Sequence, residues 1–188
     1  KIKDLDEIYN SGGYFWREKS RKAPHNLYTS TDKLIQGAKS KGYKLIPLPQ
    51  MPLAESWAGE SHQDIKLDYG TKNSTYQVTW HYNGKKYERL INGKAHVMED
   101  GTPITADNIL VFAAPTREVV KEELQSEVDL IGKGELIYFI EGKKMKGSWE
   151  KASAPAAIVF QDEKGQTLKI KDGQTWIQVI PSFNKLTY

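Results

Sequence analysis

The sequence predicts an α+β protein: a helical, α/β first part followed by a mostly antiparallel β-sandwich or barrel-like part. Three observations predict it. Beyond residue 62, turn signals recur about every 8–12 residues, the spacing of successive hairpins. In the same region apolar residues alternate with period two, whereas before it they recur at helical spacing. The chain is also rich in rings, with 5 Trp and 10 Tyr in 188 residues, and aromatic side chains favour strands. The change of period falls near residues 50–62, beside Pro47, Pro49 and Pro52. It divides the chain into an expected first portion, 1–61, and a β-rich domain, 62–188.

The elements follow in order. Ile2, Leu5, Ile8 and Tyr9 are spaced as one face of a short helix, which Asn10-Ser11-Gly12-Gly13 ends. After the aromatic block Tyr14-Phe15-Trp16 comes a basic run, Arg17 to Lys22, and then a loop around Pro24. Thr29 or Ser30 caps a second helix, with Asp32 in its positive first turn and Leu34, Ile35 and Ala38 facing inward. Gly42 stops it, and Tyr43 to Leu48 reads as a short strand. Trp57, within the proline-rich stretch, implies that this loop docks on something.

Ile65, Leu67 and Tyr69 alternate as the first strand of the β-rich part. Tyr76, Val78, Trp80 and Tyr82 form the apolar face of the next, and Asn83-Gly84 predicts a two-residue type I′ turn after it. That turn sets Trp80 opposite Tyr87, Val78 opposite Arg89 and Tyr76 opposite Ile91, so Arg89 points into the apolar face. Asn92-Gly93 and Glu99-Asp100-Gly101-Thr102-Pro103 are further turns. Ile109 to Ala113 is a continuous apolar run, as expected of a strand covered on both faces. Residues 117–127 are charged and read as a loop. Leu136–Ile140, Met145–Lys151, Ile158–Phe160, Leu168–Ile170 and Trp176–Ile180 are strands, separated by Glu141-Gly142-Lys143-Lys144, Asp162-Glu163-Lys164-Gly165 and Asp172-Gly173. Gly147-Ser148-Trp149 and Gly173-Gln174-Thr175-Trp176 read as related strand starts.

Composition excludes several functions. There is no cysteine, so disulfides, thiol catalysis and cysteine-based metal centres are absent. The net charge is +3; residues 1–60 hold 10 basic against 7 acidic side chains, and the remainder holds 17 of each. No broad basic face follows from that, and nucleic acid is not an expected partner. There is no apolar run long enough to span a bilayer as a helix, and no signal peptide. Because the first residues already read as helix, any export signal is expected upstream of Lys1.

Several short motifs, in their order and spacing, resemble the YerB-like bacterial lipoprotein family. Gly13-Tyr14-Phe15-Trp16-Arg17 leading into Ala23-Pro24-His25-Asn26-Leu27-Tyr28 is similar to the end of that family's first domain. Trp80-His81-Tyr82, Tyr87-Glu88-Arg89, Ala106-Asp107-Asn108, Gly147-x-Trp149 and Gly173-Gln174-Thr175-Trp176-Ile177 are similar to its second. The resemblance implies a lipid-anchored protein on the outer face of the bacterial cytoplasmic membrane, with no established activity. It also implies that the lipidated residue and the larger part of the first domain lie before Lys1. Residues 1–61 are then the C-terminal portion of that domain, with an apolar face lacking part of its partner.

Four residues stand out as candidate ligand-binding groups: Arg17, His25, Asn26 and Arg89. A loop histidine titrates near neutrality and serves as acid or base, and Asn26 beside it is placed to orient a substrate; the alternative is that both bond backbone and hold the loop. Arg17, with Arg21, is suited to phosphate or carboxylate. Arg89, if inward, must find a carboxylate, carbonyls or an anionic ligand, because an unpaired buried charge is costly; the structural alternative is an internal salt bridge or stacking between Trp80 and Tyr87. Asp107-Asn108 reads as a turn or as the cap of a strand entry, since Asx side chains bond their own backbone. His62, His81 and His96 have no metal-ligand spacing, so no metal or other cofactor is expected. The functional expectation is an extracytoplasmic module that binds an envelope polymer or partner protein. The alternative is an enzyme acting on an envelope glycopolymer or phosphorylated lipid, with His25, Arg17 and Arg89 around an anionic group.

Overall fold

The structure is a computed structural model that describes residue 5 and residues 13–44, 50–71, 75–120 and 125–188. The helix expected around Ile2, Ile8 and Tyr9, the greater part of the strand expected at Tyr43 to Leu48, and the middle of the charged 117–127 stretch lie outside the described residues. By internal contacts the chain separates into two units, Lys1–Pro49 and Gln50–Tyr188.

The first unit pairs two short strands, Trp16–Arg17 and Leu27–Tyr28, antiparallel, with Trp16 opposite Tyr28. Its helix is Thr31–Ser40, capped by Ser30, whose hydroxyl accepts from the Lys33 N–H. The helix ends as the sequence directs: Gly42 takes a positive φ of 75°, and Tyr43 N–H donates back to the Ala38 carbonyl. One expectation fails here. Leu34 is exposed, and the buried position is Gly37, which lacks a Cβ where the Leu5 side chain rests.

The second unit is a sandwich of two open sheets. One sheet runs in the order Val159–Asp162, Lys143–Lys151, Gly132–Ile140, Asn108–Ala113, Thr175–Ile180, with Glu60–Ser61 also pairing Lys143–Lys151. The other runs Leu186–Thr187, Asp64–Asp68, Gln77–Tyr82, Tyr87–Ile91, Lys94–Ala95, with Thr105–Ala106 also pairing Tyr87–Ile91. Among the described residues neither sheet closes, so the barrel alternative falls away. The α+β label holds only loosely, since Thr31–Ser40 is the one α-helix described. Pairing is antiparallel except between Thr175–Ile180 and Asn108–Ala113, which are parallel.

Alternation explains the core. Between the sheets lie Ile65, Leu67, Val78, Trp80 and Tyr87 from one and Ile109, Val111, Ile137, Phe139 and Ile180 from the other. On the far face of the larger sheet lie Leu110, Phe112, Leu136, Tyr138, Ile140, Trp149 and Phe160, clustered with Leu168 and Ile170, and with Met51 and Trp57 packed against them. The two unbroken apolar runs are therefore the strands buried on both faces. Each such large side chain taken out of water contributes roughly 1.5–3 kcal/mol. Trp57 does dock, through its loop. Leu168 and Ile170 reach the core from a segment that makes isolated bridges, not the strand expected there: Ile170 pairs with Leu53 and Thr167 with Gln161.

Three local readings are corrected. Asn83-Gly84 is not a two-residue turn. The Asn83 side-chain oxygen accepts from the N–H groups of Lys85 and Lys86 (3.0 Å each), and Asn83 N–H donates to Lys86 O. This opens a longer loop and pairs Trp80 with Arg89, Val78 with Ile91 and Tyr82 with Tyr87. The tight turns with two positive φ angles fall at Asn92-Gly93 (49° and 76°) and Glu141-Gly142 (53° and 71°). The 117–127 stretch is not a loop throughout: Thr116–Val120 and Gln125–Val128 pair antiparallel, with Arg117 bridging Glu127 and Asp129. Gly147 lies inside its strand, where a Cβ would meet the Gln161 carbonyl at 2.2 Å, whereas Gly173 does precede one.

Candidate functional site

In the first unit the Arg17–Tyr28 loop is built on Asn26. Its side chain is buried, at 8% exposure. The amide oxygen accepts from an Arg17 guanidinium N–H (2.7 Å), and the amide nitrogen donates to the carbonyls of Glu18 and Arg21 (3.2 Å each). The Asn26 carbonyl accepts from Glu18 N–H (2.8 Å). Both groups of the side-chain amide are thus engaged by residues of the same loop. Arg17 and His25 are exposed at the surface, next to the Ala23–Pro24 peptide, which is cis.

What that loop presents is a pair of rings. Trp16 is 42% exposed, and its indole stacks on Tyr28 across the strand pair, with centroids 6.0 Å apart and planes at 25°. Lys33 Nζ sits 5.9 Å from the Trp16 ring, and the Arg21 guanidinium lies 5.9 Å from the Tyr28 ring. Lys33 is held there by the Gly13 carbonyl, itself set by a glycine at φ 82°. A flat aromatic surface flanked by cations suits a ring-bearing, negatively charged polymer. Trp16 and Lys33 were absent from the sequence-derived candidates. The signal for them was the aromatic at each end of one cross-strand pair, which only the pairing reveals.

Arg89 belongs to the second unit and is buried, as alternation predicted, at 8% exposure. Its guanidinium lies against two indoles, 5.0 Å from Trp176 and 5.8 Å from Trp80, which come from opposite sheets and contact each other with centroids 5.1 Å apart. One N–H donates to His96 Nδ1. Burial and the Arg89 charge lower the pKa of His96, so the imidazole accepts that bond in its neutral form. The Arg89 backbone is pinned as well, donating to Ile104 O (3.0 Å) and accepting from His96 N–H (2.8 Å). Nearby, Gln178 donates to the Tyr69 hydroxyl (2.6 Å), which donates to Val179 O (3.1 Å). Arg89 Nε, Trp80 Nε1 and Gln178 Oε1 are buried without partners. A cleft of about 590 Å³ opens beside Trp176, Ile104 and Met98 without Arg89 in its lining; Arg89 does contribute to the lining of a second cleft, of about 500 Å³, with Asp64, His81 and Glu88. Aromatic faces and a neutral histidine thus solvate the cation internally.

The remaining titratable groups are dispersed. Asp107 does not bond its own backbone: it accepts from Gln174 N–H (3.0 Å) and Lys86 Nζ (3.2 Å). Asn108 likewise bonds Lys171 N–H and O (2.9 Å each). His81 pairs with Asp64 at 2.7 Å, and His62 with Glu60 at 3.5 Å. Among the described residues no three His, Asp or Glu side chains converge on a metal position.

The sandwich, with its buried arginine, matches the DUF3048 C-terminal domain, a protein domain of unknown function, over residues 65–177; the N-terminal domain of the same family matches residues 1–44. The chain belongs to the DUF3048 family. YerB, a candidate lipoprotein of Bacillus subtilis (strain 168), is 31% identical to it over 180 residues, covering 92% of this chain and 53% of the relative. A crystal structure of YerB from Bacillus subtilis superposes with a TM-score of 0.79 at 28% identity, covering 97% of this chain and 62% of that one. The chain therefore spans about half the length of its curated relative.

Proposed function

We propose that the chain is a non-catalytic binding module of an extracytoplasmic lipoprotein, tethered to the outer face of the cytoplasmic membrane through a lipid upstream of Lys1. It engages an anionic polymer of the cell envelope through the Trp16–Tyr28 platform. The remainder of the first domain, upstream of Lys1, completes the unit that carries the platform. The observation that carries this reading is the stacked ring pair, exposed Trp16 on half-buried Tyr28, with Lys33 and Arg21 beside it. The designation of YerB as a candidate lipoprotein supports the tether. An enzyme built on His25, Arg17 and Arg89 has less support, because the Asn26 amide is engaged by its own loop and the buried Arg89 guanidinium is engaged by His96 and two indoles.

Co-sedimentation with purified wall sacculi, intact or stripped of their anionic polymer, tests the proposal. Binding is expected to intact sacculi, to weaken with salt as exposed charges are screened, and to fall about tenfold or more in Trp16→Ala, equivalent to ~1.4 kcal/mol. Equal retention of the wild type, Trp16→Ala and Lys33→Ala, or no retention at all, overturns it.

A further inference from the structure

The larger sheet ends in a strand whose outer edge no other strand among the described residues pairs with. Thr175–Ile180 pairs on one side only, in parallel, with Asn108–Ala113. The Gln174 carbonyl accepts from Asp107 and Asn108 N–H (2.8 and 3.1 Å), and the Ile180 carbonyl from Ala114 N–H (2.9 Å). Successive strand residues turn their N–H and C=O groups to opposite sides. The even-numbered residues therefore face the neighbour, and Thr175, Ile177 and Val179 direct theirs out of the edge. Of these outward backbone groups, Val179 O is the one given a partner, the Tyr69 hydroxyl.

The edge also lacks the usual protection. Its sequence, TWIQVI, has no charge and no proline, the devices that keep monomeric sheets from pairing edge to edge. Elsewhere the ends are blunted. Val159–Asp162 is covered by the returning chain, with Leu168 N–H on Phe160 O (2.9 Å) and Asp162 N–H on Gln166 O (2.8 Å). The smaller sheet ends in two-residue strands beside Lys94 and Lys185. On the open edge Ile177 is 44% exposed.

We propose that this edge pairs antiparallel with the same edge of a second copy, about a two-fold axis at Ile177. That register sets Ile177 against Ile177 and Thr175 against Val179. It is the register that joins all three outward-facing residues to outward-facing residues of the other copy. It also places the exposed Ile177 side chains side by side and makes one continuous sheet of two, the self-complementary contact a two-fold axis requires.

Sedimentation of the 188-residue chain over a range of concentrations should give a reversible, concentration-dependent dimer. Ile177→Lys, which sets like charges opposite one another, should weaken association roughly tenfold or more, with the circular dichroism and melting temperature of the wild type retained. Because the chain has no cysteine, the register can be read without background. Under mild oxidation Ile177→Cys should cross-link to itself, since paired Cα atoms lie about 5.5 Å apart. Thr175→Cys should cross-link to Val179→Cys when the two are mixed, but not to itself. A wild type that is monomeric at every concentration, with Ile177→Cys no faster to cross-link than a cysteine at exposed Ser153, overturns the proposal. So does a Thr175→Cys chain that couples to itself as readily as Ile177→Cys.

Discussion

Two polar knots lie inside the second unit, and they are built on opposite terms. At Asp107-Asn108 the side chains bond the backbone of a turn more than sixty residues away: Asn108 holds Lys171 N–H and O and the Thr175 hydroxyl, and Asp107 holds Gln174 N–H. At Arg89 the guanidinium meets two rings and one imidazole, and three polar atoms in that core are left unmatched. The first knot decides where the chain goes, since it anchors the start of the one parallel strand. The second is held in place by the walls around it. A buried polar group stabilises when its partners are backbone that would otherwise be orphaned; enclosed by side chains alone, it is closer to neutral.

That contrast can be broken from either side. Asn108→Leu removes partners from a fully buried site and strands the Lys171 N–H and carbonyl, so it should cost about 3 kcal/mol. The denaturation midpoint in urea should fall while the slope stays unchanged. Gly173→Ala should cost about 2 kcal/mol, because φ is +131° there and the new Cβ would stand 2.2 Å from Asp107 Oδ2. Arg89→Met, an apolar replacement of similar length, should leave stability within ~1 kcal/mol of the wild type or raise it. A loss as large as that of Asn108→Leu would erase the distinction between the knots.

The smallest effect is one of pH. The pKa of His96 is lowered in the folded protein from 6.5 by burial first and by Arg89 second. The unfolded chain therefore binds more protons near that value, so stability is fully present above it and declines as pH falls through it toward the lower, folded pKa. His96→Gln should flatten this part of a stability–pH profile, and Arg89→Met should flatten it partly.

The inward turn of Arg89 was legible because it depends only on parity. The Asn83 side chain lengthened the loop and moved the pairing by two positions, which changes every partner and leaves every residue on its face. Had the slip been one residue, the reading would have failed. Of the partners of Arg89, Trp80 was legible as a stacking neighbour, whereas two were not: His96 follows a separate turn, and Trp176 arrives on a strand whose parallel pairing no local pattern encodes. The doubly buried strands were readable from their unbroken apolar runs. The 116–128 hairpin was not, since its strands are charged and Arg117 finds its carboxylates only once the strands have met. In the first unit the buried Asn26 amide clamps its own loop, and the stacking of exposed Trp16 on Tyr28 follows from a cross-strand pairing that the aromatic block alone does not encode.

Gly142 N–H donates to the Tyr87 hydroxyl at 2.8 Å, from the hairpin bend of one sheet to the floor of the other. Tyr87 is wholly buried and its phenol is harder to ionise than usual, chiefly because of that burial. The ring thus acts as a peg between the two layers, and one that is harder to charge while they remain together.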